Sequence, residues 1–233
     1  MSRRLVIAID GPSGVGKGTV ARAVAAELGY RHVDTGVMYR AVGLKAARLG
    51  IGVDDEEGLV RVARSLQLEL PGELVQLDGE DITQAIRTAA VDRAASAVAR
   101  HPRVREVLVT RQRAMGEGGG IVMEGRDIGT VVFPHADVKI YLDAAPAERA
   151  RRRALDPAHA SDAPQAVEAV ADDLAARDKQ DSTRAASPLS VAADAVVIDT
   201  TSLSIPEVVA RVLALAAGDG LASGRDSESR SHL

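Results

Sequence analysis

Cysteine, asparagine and tryptophan are all missing from this 233-residue chain, and its aromatic residues are three Tyr and one Phe. Each gap closes a class of function. Without cysteine there is no disulfide and no cysteine metal site, which fits a cytoplasmic location. Without asparagine there is no N-glycosylation sequon, and the Asn needed by the guanine-reading motif of GTPases is absent. So few rings leave no stacking platform for single-stranded nucleic acid. Any pocket for a base would have to read it by hydrogen bonds and arginine planes. The net charge of −4 argues against general nucleic-acid binding. No stretch approaches the about 18 apolar residues of a membrane span. The apolar run after the first two arginines is too short for an export signal, so neither membrane nor secretion is expected. The five His (His32, His101, His135, His159 and His232) have no ligand spacing, which leaves no zinc site. No apolar seam is left over for a partner, which points to a monomer. Lysine is scarce too, with 4 Lys against 25 Arg. For the set as a whole compositional bias is the simpler reading, but single arginines in phosphate-like settings remain informative because the guanidinium fork suits bidentate contacts.

What is present begins at residues 5–19, LVIAIDGPSGVGKGT. Leu5 to Ile9 is an unbroken apolar run suited to a strand buried on both faces. Gly11, Pro12, Ser13, Gly14, Val15, Gly16, Lys17 and Gly18 follow Asp10, and Thr19 opens a helical pattern through Val20, Ala23, Val24 and Leu28. Strand, glycine-rich turn and helix is the setting of a phosphate-binding loop. The glycines let backbone N–H groups converge, the helix N-terminus adds unsatisfied donors, and Lys17 reaches the outer phosphates. Gly18 fills the place where the general motif has Ser or Thr, and the hydroxyl comes one residue later. A metal contact from Thr19, direct or through water, therefore stays open.

Four more short apolar runs alternate with helical patterns: Arg31–Val33, Ile121–Met123, Val138–Leu142 and Ala195–Ile198. Five such strands predict an α/β fold, a doubly wound five-stranded parallel sheet. Residues 66–82 read differently, alternating apolar and polar around Pro71-Gly72 and Asp78-Gly79, which is the pattern of a small antiparallel ribbon. Helices are expected over 54–65, 83–99 and 103–116. The ribbon and its flanking helices form an inserted subdomain over 54–100 in a core made of 1–53 and 101–216, and 217–233 reads as a disordered tail. Ligands of such sheets sit beyond the carboxyl ends of the strands. That gathers residues 10–17, 34–40, 124–127 and 143 at one crevice.

Each of these segments has a plainer explanation. Asp34-Thr35 can simply cap a helix, but capping leaves Arg40 unexplained in its first turns, where a phosphate role fits better. Arg126-Asp127 is equally an ordinary turn or a ligand contact. Residues 148–153, with Arg149 and Arg153, are equally a solvated helix face or part of a lid over 150–165 that clamps phosphates. Arg177, Asp181 and Arg184 could be surface ion pairs of little worth. Asp143 is best read as a helix cap.

DGPSGVGKGT at 10–19, DTGVMYRA at 34–41, HPRVREVLVTRQR at 101–113, EGRDIGTVVFP at 124–134, VKIYLDA at 138–144, ERARRR at 148–153 and RDKQDSTRAASPL at 177–189 together resemble the bacterial cytidylate kinases, over residues 4–216. The resemblance implies a P-loop kinase core with a nucleoside-monophosphate-binding insert and a lid, moving the γ-phosphate of ATP to CMP or dCMP with Mg²⁺. Carried over, residues 11–19 hold the ATP phosphates, with Arg149 and Arg153 from the lid side. Arg40, Arg126 and Arg184 grip the acceptor phosphate, and Thr35 places a hydroxyl beside it. Ser96, Arg105 and Asp127 read the cytosine edge, and Arg177 and Asp181 meet the sugar.

Overall fold

The middle of the molecule is β1 (Val6–Asp10), flanked in a parallel sheet by β6 (Ile121–Gly125) and β7 (Val138–Asp143). β2 (Arg31–Asp34) and β8 (Val196–Asp199) complete the order β2-β6-β1-β7-β8. The five predicted strands are all present and all parallel. This is a computed structural model, which describes residues 4–70, 72, 74–156 and 167–218.

Side chains alternate across a strand, so the continuous apolar runs supply both faces of the sheet. Ile7 and Ile9 pack with Val20 and Val24 of α1 (Lys17–Leu28) and with Val208 and Val212 of α8 (Ile205–Ala217). Ala8 faces the other way, toward Met123, Ile128 and Val109 of α5 (Pro102–Gly116). α8 carries a capping box in which Ser204 and Glu207 satisfy each other's backbone donors.

A second core lies beside the sheet. α2 (Thr35–Arg48), α3 (Glu56–Arg64), α4 (Ala89–Val98) and α5 enclose Met38, Val42, Leu59, Ile86, Val98 and Leu108. Over it lies an antiparallel ribbon of β3 (Leu68–Glu69), β4 (Gln76–Leu77) and β5 (Glu80–Asp81), which carries Leu77 into the same core. α6 (Pro146–Ala154) and α7 (Val167–Thr183) pack on each other through Ala150, Val170 and Leu174.

Two local features differ from the expectation. The helix expected over 83–99 is a single 3₁₀ turn at Ala85–Arg87, then α4. Thr88 separates them because its hydroxyl accepts from Val91 N at 3.3 Å as the α4 cap. After β6 the chain makes one π turn, Ile128–Val132, which no periodicity announced. Its first two N–H groups are bound by Asp10, to which Ile128 N and Gly129 N donate at 2.8 and 2.7 Å. Burial still pushes the Asp10 carboxyl up to about 6, against the pull of those two bonds. Of the expected lid, 157–165 fall outside the described residues, as does the expected tail beyond Gly218.

Candidate active site

Two glycines show where the loop after β1 can carry no side chain. A Cβ on Gly11 would lie 2.2 Å from the Leu142 carbonyl oxygen of the neighbouring strand. Gly16, at φ 94°, caps α1 in the left-handed region that glycine alone adopts freely. The loop thus passes close to β7 and turns sharply into the helix, leaving its backbone donors along one concave edge. Lys17, only 7% exposed, donates to the Pro12 carbonyl at 2.7 Å across the loop. Burial, helped by Arg126, lowers its ammonium to about 7 although Glu124 pulls the other way.

The loop forms one wall of a cavity of about 1040 Å³ at the carboxyl ends of the strands. Ser13 to Thr19, Thr35, Arg40, Ser96, Arg105, Arg126, Asp127, Arg153, Arg177, Asp181 and Arg184 all line it. Gly11, Pro12 and Arg149 do not line it. Arg149 is turned behind the loop, where its guanidinium donates to the Ser13 and Ala144 carbonyls, each at 3.1 Å, and pairs with Asp178. Its place is that of a brace for the loop rather than of a group facing the cavity.

The remaining arginines form a lattice with carboxylates. Arg126 donates from Nη2 to Ser13 Oγ at 2.7 Å and from Nε to Asp181 at 2.9 Å, which ties the glycine loop to α7. The other oxygen of Asp181 faces Arg184 Nη1 at 3.4 Å. Arg40 bonds Asp92 of α4 at 3.0 Å and Asp34 at 3.4 Å. Burial raises the Asp34 carboxyl, but Arg40 and His32 outweigh it and hold it below the usual range. Farther in, Arg105 donates to Asp127 at 2.5 Å with both side chains under 10% exposed, and its guanidinium lies 5.4 Å from the Tyr39 ring centre. Two donors there, Arg105 Nε and Arg184 Nη2, are buried without a hydrogen-bond partner. Buried unsatisfied donors are costly, so this end of the cavity is built to receive acceptors from a ligand. Thr35 donates its hydroxyl to the Glu124 carbonyl at 2.7 Å, and the Ser96 carbonyl accepts from Gln180 at 3.0 Å.

Two further parts of the lining have no role marked in the sequence. Glu124, next to the last residue of β6, has its carboxylate bound to His32 at 2.9 Å and lies close enough that a Cβ on Gly18 would be 3.2 Å from it. Its place near a strand end beside the loop is the signal that puts 124–127 at the crevice, though it gives Glu124 no role of its own. Asp143 does not cap a helix as its sequence position suggested: its side chain accepts from Ala144 N at 2.8 Å, outside α6, whose N-cap is Ala145 with no side-chain bond to the helix. Thr200 to Ser204, between β8 and α8, and Ile205 at the start of α8 also line the cavity, and Arg152 joins them to the loop through the Thr200 and Val15 carbonyls at 2.6 and 3.3 Å. No pattern in the sequence marks that segment.

Comparison with known proteins bears on the fold and the family. A shikimate kinase from Bacteroides thetaiotaomicron superposes with a TM-score of 0.50 at 13% identity, covering 91% of this chain and 98% of that one, a likeness of fold alone. Cytidylate kinases are far nearer in sequence. That of Pelotomaculum thermopropionicum is 52% identical over 216 residues, covering 89% of this chain and 94% of its own length. That of Geobacillus kaustophilus is 49% identical over 217 residues, covering 91% and 96%. That of Solibacter usitatus is 48% identical over 225 residues, covering 96% and 97%. The family model described as cytidylate kinase matches residues 7–217. The chain belongs to the cytidylate kinase family.

Proposed function

We infer that this chain transfers the γ-phosphoryl group of ATP directly to the phosphate of CMP or dCMP, giving ADP and CDP or dCDP. The observation that carries this reading is the convergence on one cavity of a glycine loop with a buried lysine, five arginines of the acceptor and lid side, and the buried Arg105–Asp127 pair. The loop N–H groups and Lys17 take the ATP phosphates, with the adenine toward Thr200–Ile205. Arg40, Arg126 and Arg184 take the acceptor phosphate. Ser96, Arg105 and Asp127 take the cytosine edge, where unpartnered donors await acceptors. Arg177 and Asp181 take the sugar, and Arg153 closes over the donor phosphates.

Phosphoryl transfer of this kind asks for alignment and charge neutralisation. One acceptor oxygen attacks the γ-phosphorus while the bond to the ADP oxygen breaks. The acceptor is already ionised, so no strong base is required. Arg126 suits the centre of this reaction because it bridges the loop at Ser13 and the acceptor side at Asp181. Mg²⁺ would come in with the nucleotide, and the oxygen groups lining the cavity that would share it with the phosphates are Glu124, Asp34 and Thr19. Bound there with the nucleotide, it would neutralise charge on the phosphate oxygens.

The insert over 54–100 is assigned as the acceptor-binding part and 1–53 with 101–216 as the kinase core, the chain acting as a monomer. Sedimentation at working concentration checks the last point. An acceptor panel tests the function: with ATP and Mg²⁺, CMP and dCMP should be phosphorylated far faster than UMP, AMP or shikimate. A preference for AMP or shikimate would overturn the assignment.

A further inference from the structure

Asp92 stands in the middle of the phosphate-facing arginines, and the reaction as read above gives it no task. It projects from α4, and its side chain is 13% exposed. One oxygen accepts from Arg40 Nε at 3.0 Å and lies 3.8 Å from Arg177 Nη1, while the other accepts from Arg153. Three cations from three helices, α2, α6 and α7, thus share one carboxylate carried by a fourth. Burial alone would push the Asp92 carboxyl up, but Arg40, Arg177 and Arg153 outweigh it and keep it ionised. Burial, with Arg126 beside it, lowers Arg177 to about 10, and its Nε has no hydrogen-bond partner. The group is therefore rich in cations and short of acceptor oxygens.

We propose that Asp92 is an internal stand-in for substrate phosphate, which holds Arg40, Arg153 and Arg177 in place while the cavity is empty and yields them when nucleotide phosphates enter. This rests on the assignment of the cavity to ATP and CMP given above. The physical reason is competition. Buried guanidinium groups without an anion would be costly and would repel each other, so a carboxylate among them keeps the empty site folded and its donors oriented. The same carboxylate opposes an incoming phosphate, because its ion pairs must break and a like charge remains nearby. Asp92 thus stabilises the empty site at the expense of affinity for both nucleotides.

The test is calorimetric binding of CMP, and separately of ATP, to the full chain and to Asp92→Asn. The amide keeps the shape and an acceptor for Arg40 Nε but removes the charge. Asp92→Asn should bind both nucleotides tighter, on the order of 3- to 10-fold, as expected for losing one partly screened like charge near the phosphates. Its kcat should fall as product leaves more slowly, so KM and kcat drop together. Asp92→Glu, which restores the charge, should return both affinities to within about twofold of native. Should the amide variant not fold, Asp92→Ser carries the same expectation. A carboxylate that merely braces α4 against α6 and α7 would behave differently: its loss would let the arginines splay, and affinity would be weaker or unchanged. Either of those outcomes overturns the proposal. The two failures separate, since a native chain that binds no CMP refutes the substrate reading. Normal CMP binding by the native chain, without a gain in Asp92→Asn, refutes the role of Asp92 alone.

Discussion

The two walls of the cavity offer positive charge by different means. On the loop side the donors are backbone N–H groups whose directions follow from the path of the chain. That path is set by close approach to β7 at Gly11 and a left-handed turn at Gly16. On the opposite side the donors are guanidinium groups on long side chains, held by carboxylates: Arg40 by Asp92 and Asp34, Arg126 and Arg184 by Asp181, Arg105 by Asp127. A donor built into the backbone needs no partner to stay oriented. A guanidinium does, because its rotamer freedom must be paid in entropy each time it is fixed. The loop side is therefore ready when empty, and the arginine side is ready only because acids stand among the arginines.

The largest effect should come from breaking the loop side. Lys17→Ala should fold, since it costs the loop one hydrogen bond, to the Pro12 carbonyl, while the turns at Gly11 and Gly16 remain, and should lose turnover by on the order of 10²- to 10³-fold. Steady-state rates beside a thermal melt check both halves, and near-native activity in a folded variant would remove Lys17 from the chemistry.

On the arginine side the deepest pair offers the next test. Asp127→Asn leaves Arg105 buried with a weaker partner. It should lower the ratio of kcat/KM for CMP over UMP by about 10- to 100-fold, as for other buried polar contacts that select a substrate, and leave the KM for ATP within about twofold. An equal loss on the ATP side would mean that the two walls are not distinct.

The loop side was legible in the sequence because everything it needs is local. Strand, glycines, lysine and helix lie within about fifteen consecutive residues, and periodicity decides each. The five strands and the ribbon were legible for the same reason. The arginine lattice was legible only as a set of members. Its bonds join residues far apart in sequence, such as Arg40 to Asp92 and Arg126 to Asp181, and no spacing rule predicts such pairs. Arg149 shows the limit well. It shares a helix face with Arg153 four residues on, yet it braces the loop from behind while Arg153 lines the cavity and pairs with Asp92. Packing of α6 under the loop decides between them. The π turn after β6 escaped because its cause, the Asp10 carboxylate, lies on another strand.

The smallest effect sharpens the comparison through protons. Buried Lys17 is lowered to about 7 in the free protein. At pH 8 it is mostly neutral, and bound phosphates would raise it again, so binding of ATP should take up close to one proton. An arginine stays charged throughout and contributes nothing at this pH. Calorimetry at pH 8 in two buffers of different ionisation enthalpy reads the uptake, which should vanish in Lys17→Ala. Equal uptake in both proteins would place the titrating group elsewhere.

The central claim is that the two walls act on one phosphoryl group passing between two nucleotides. ADP formation from ATP, measured with and without CMP, tests it most directly. Release should be slow without acceptor and strongly stimulated by CMP, with one CDP formed per ADP; ATP hydrolysis at the same rate with and without CMP would mean that no phosphoryl group passes between two nucleotides here.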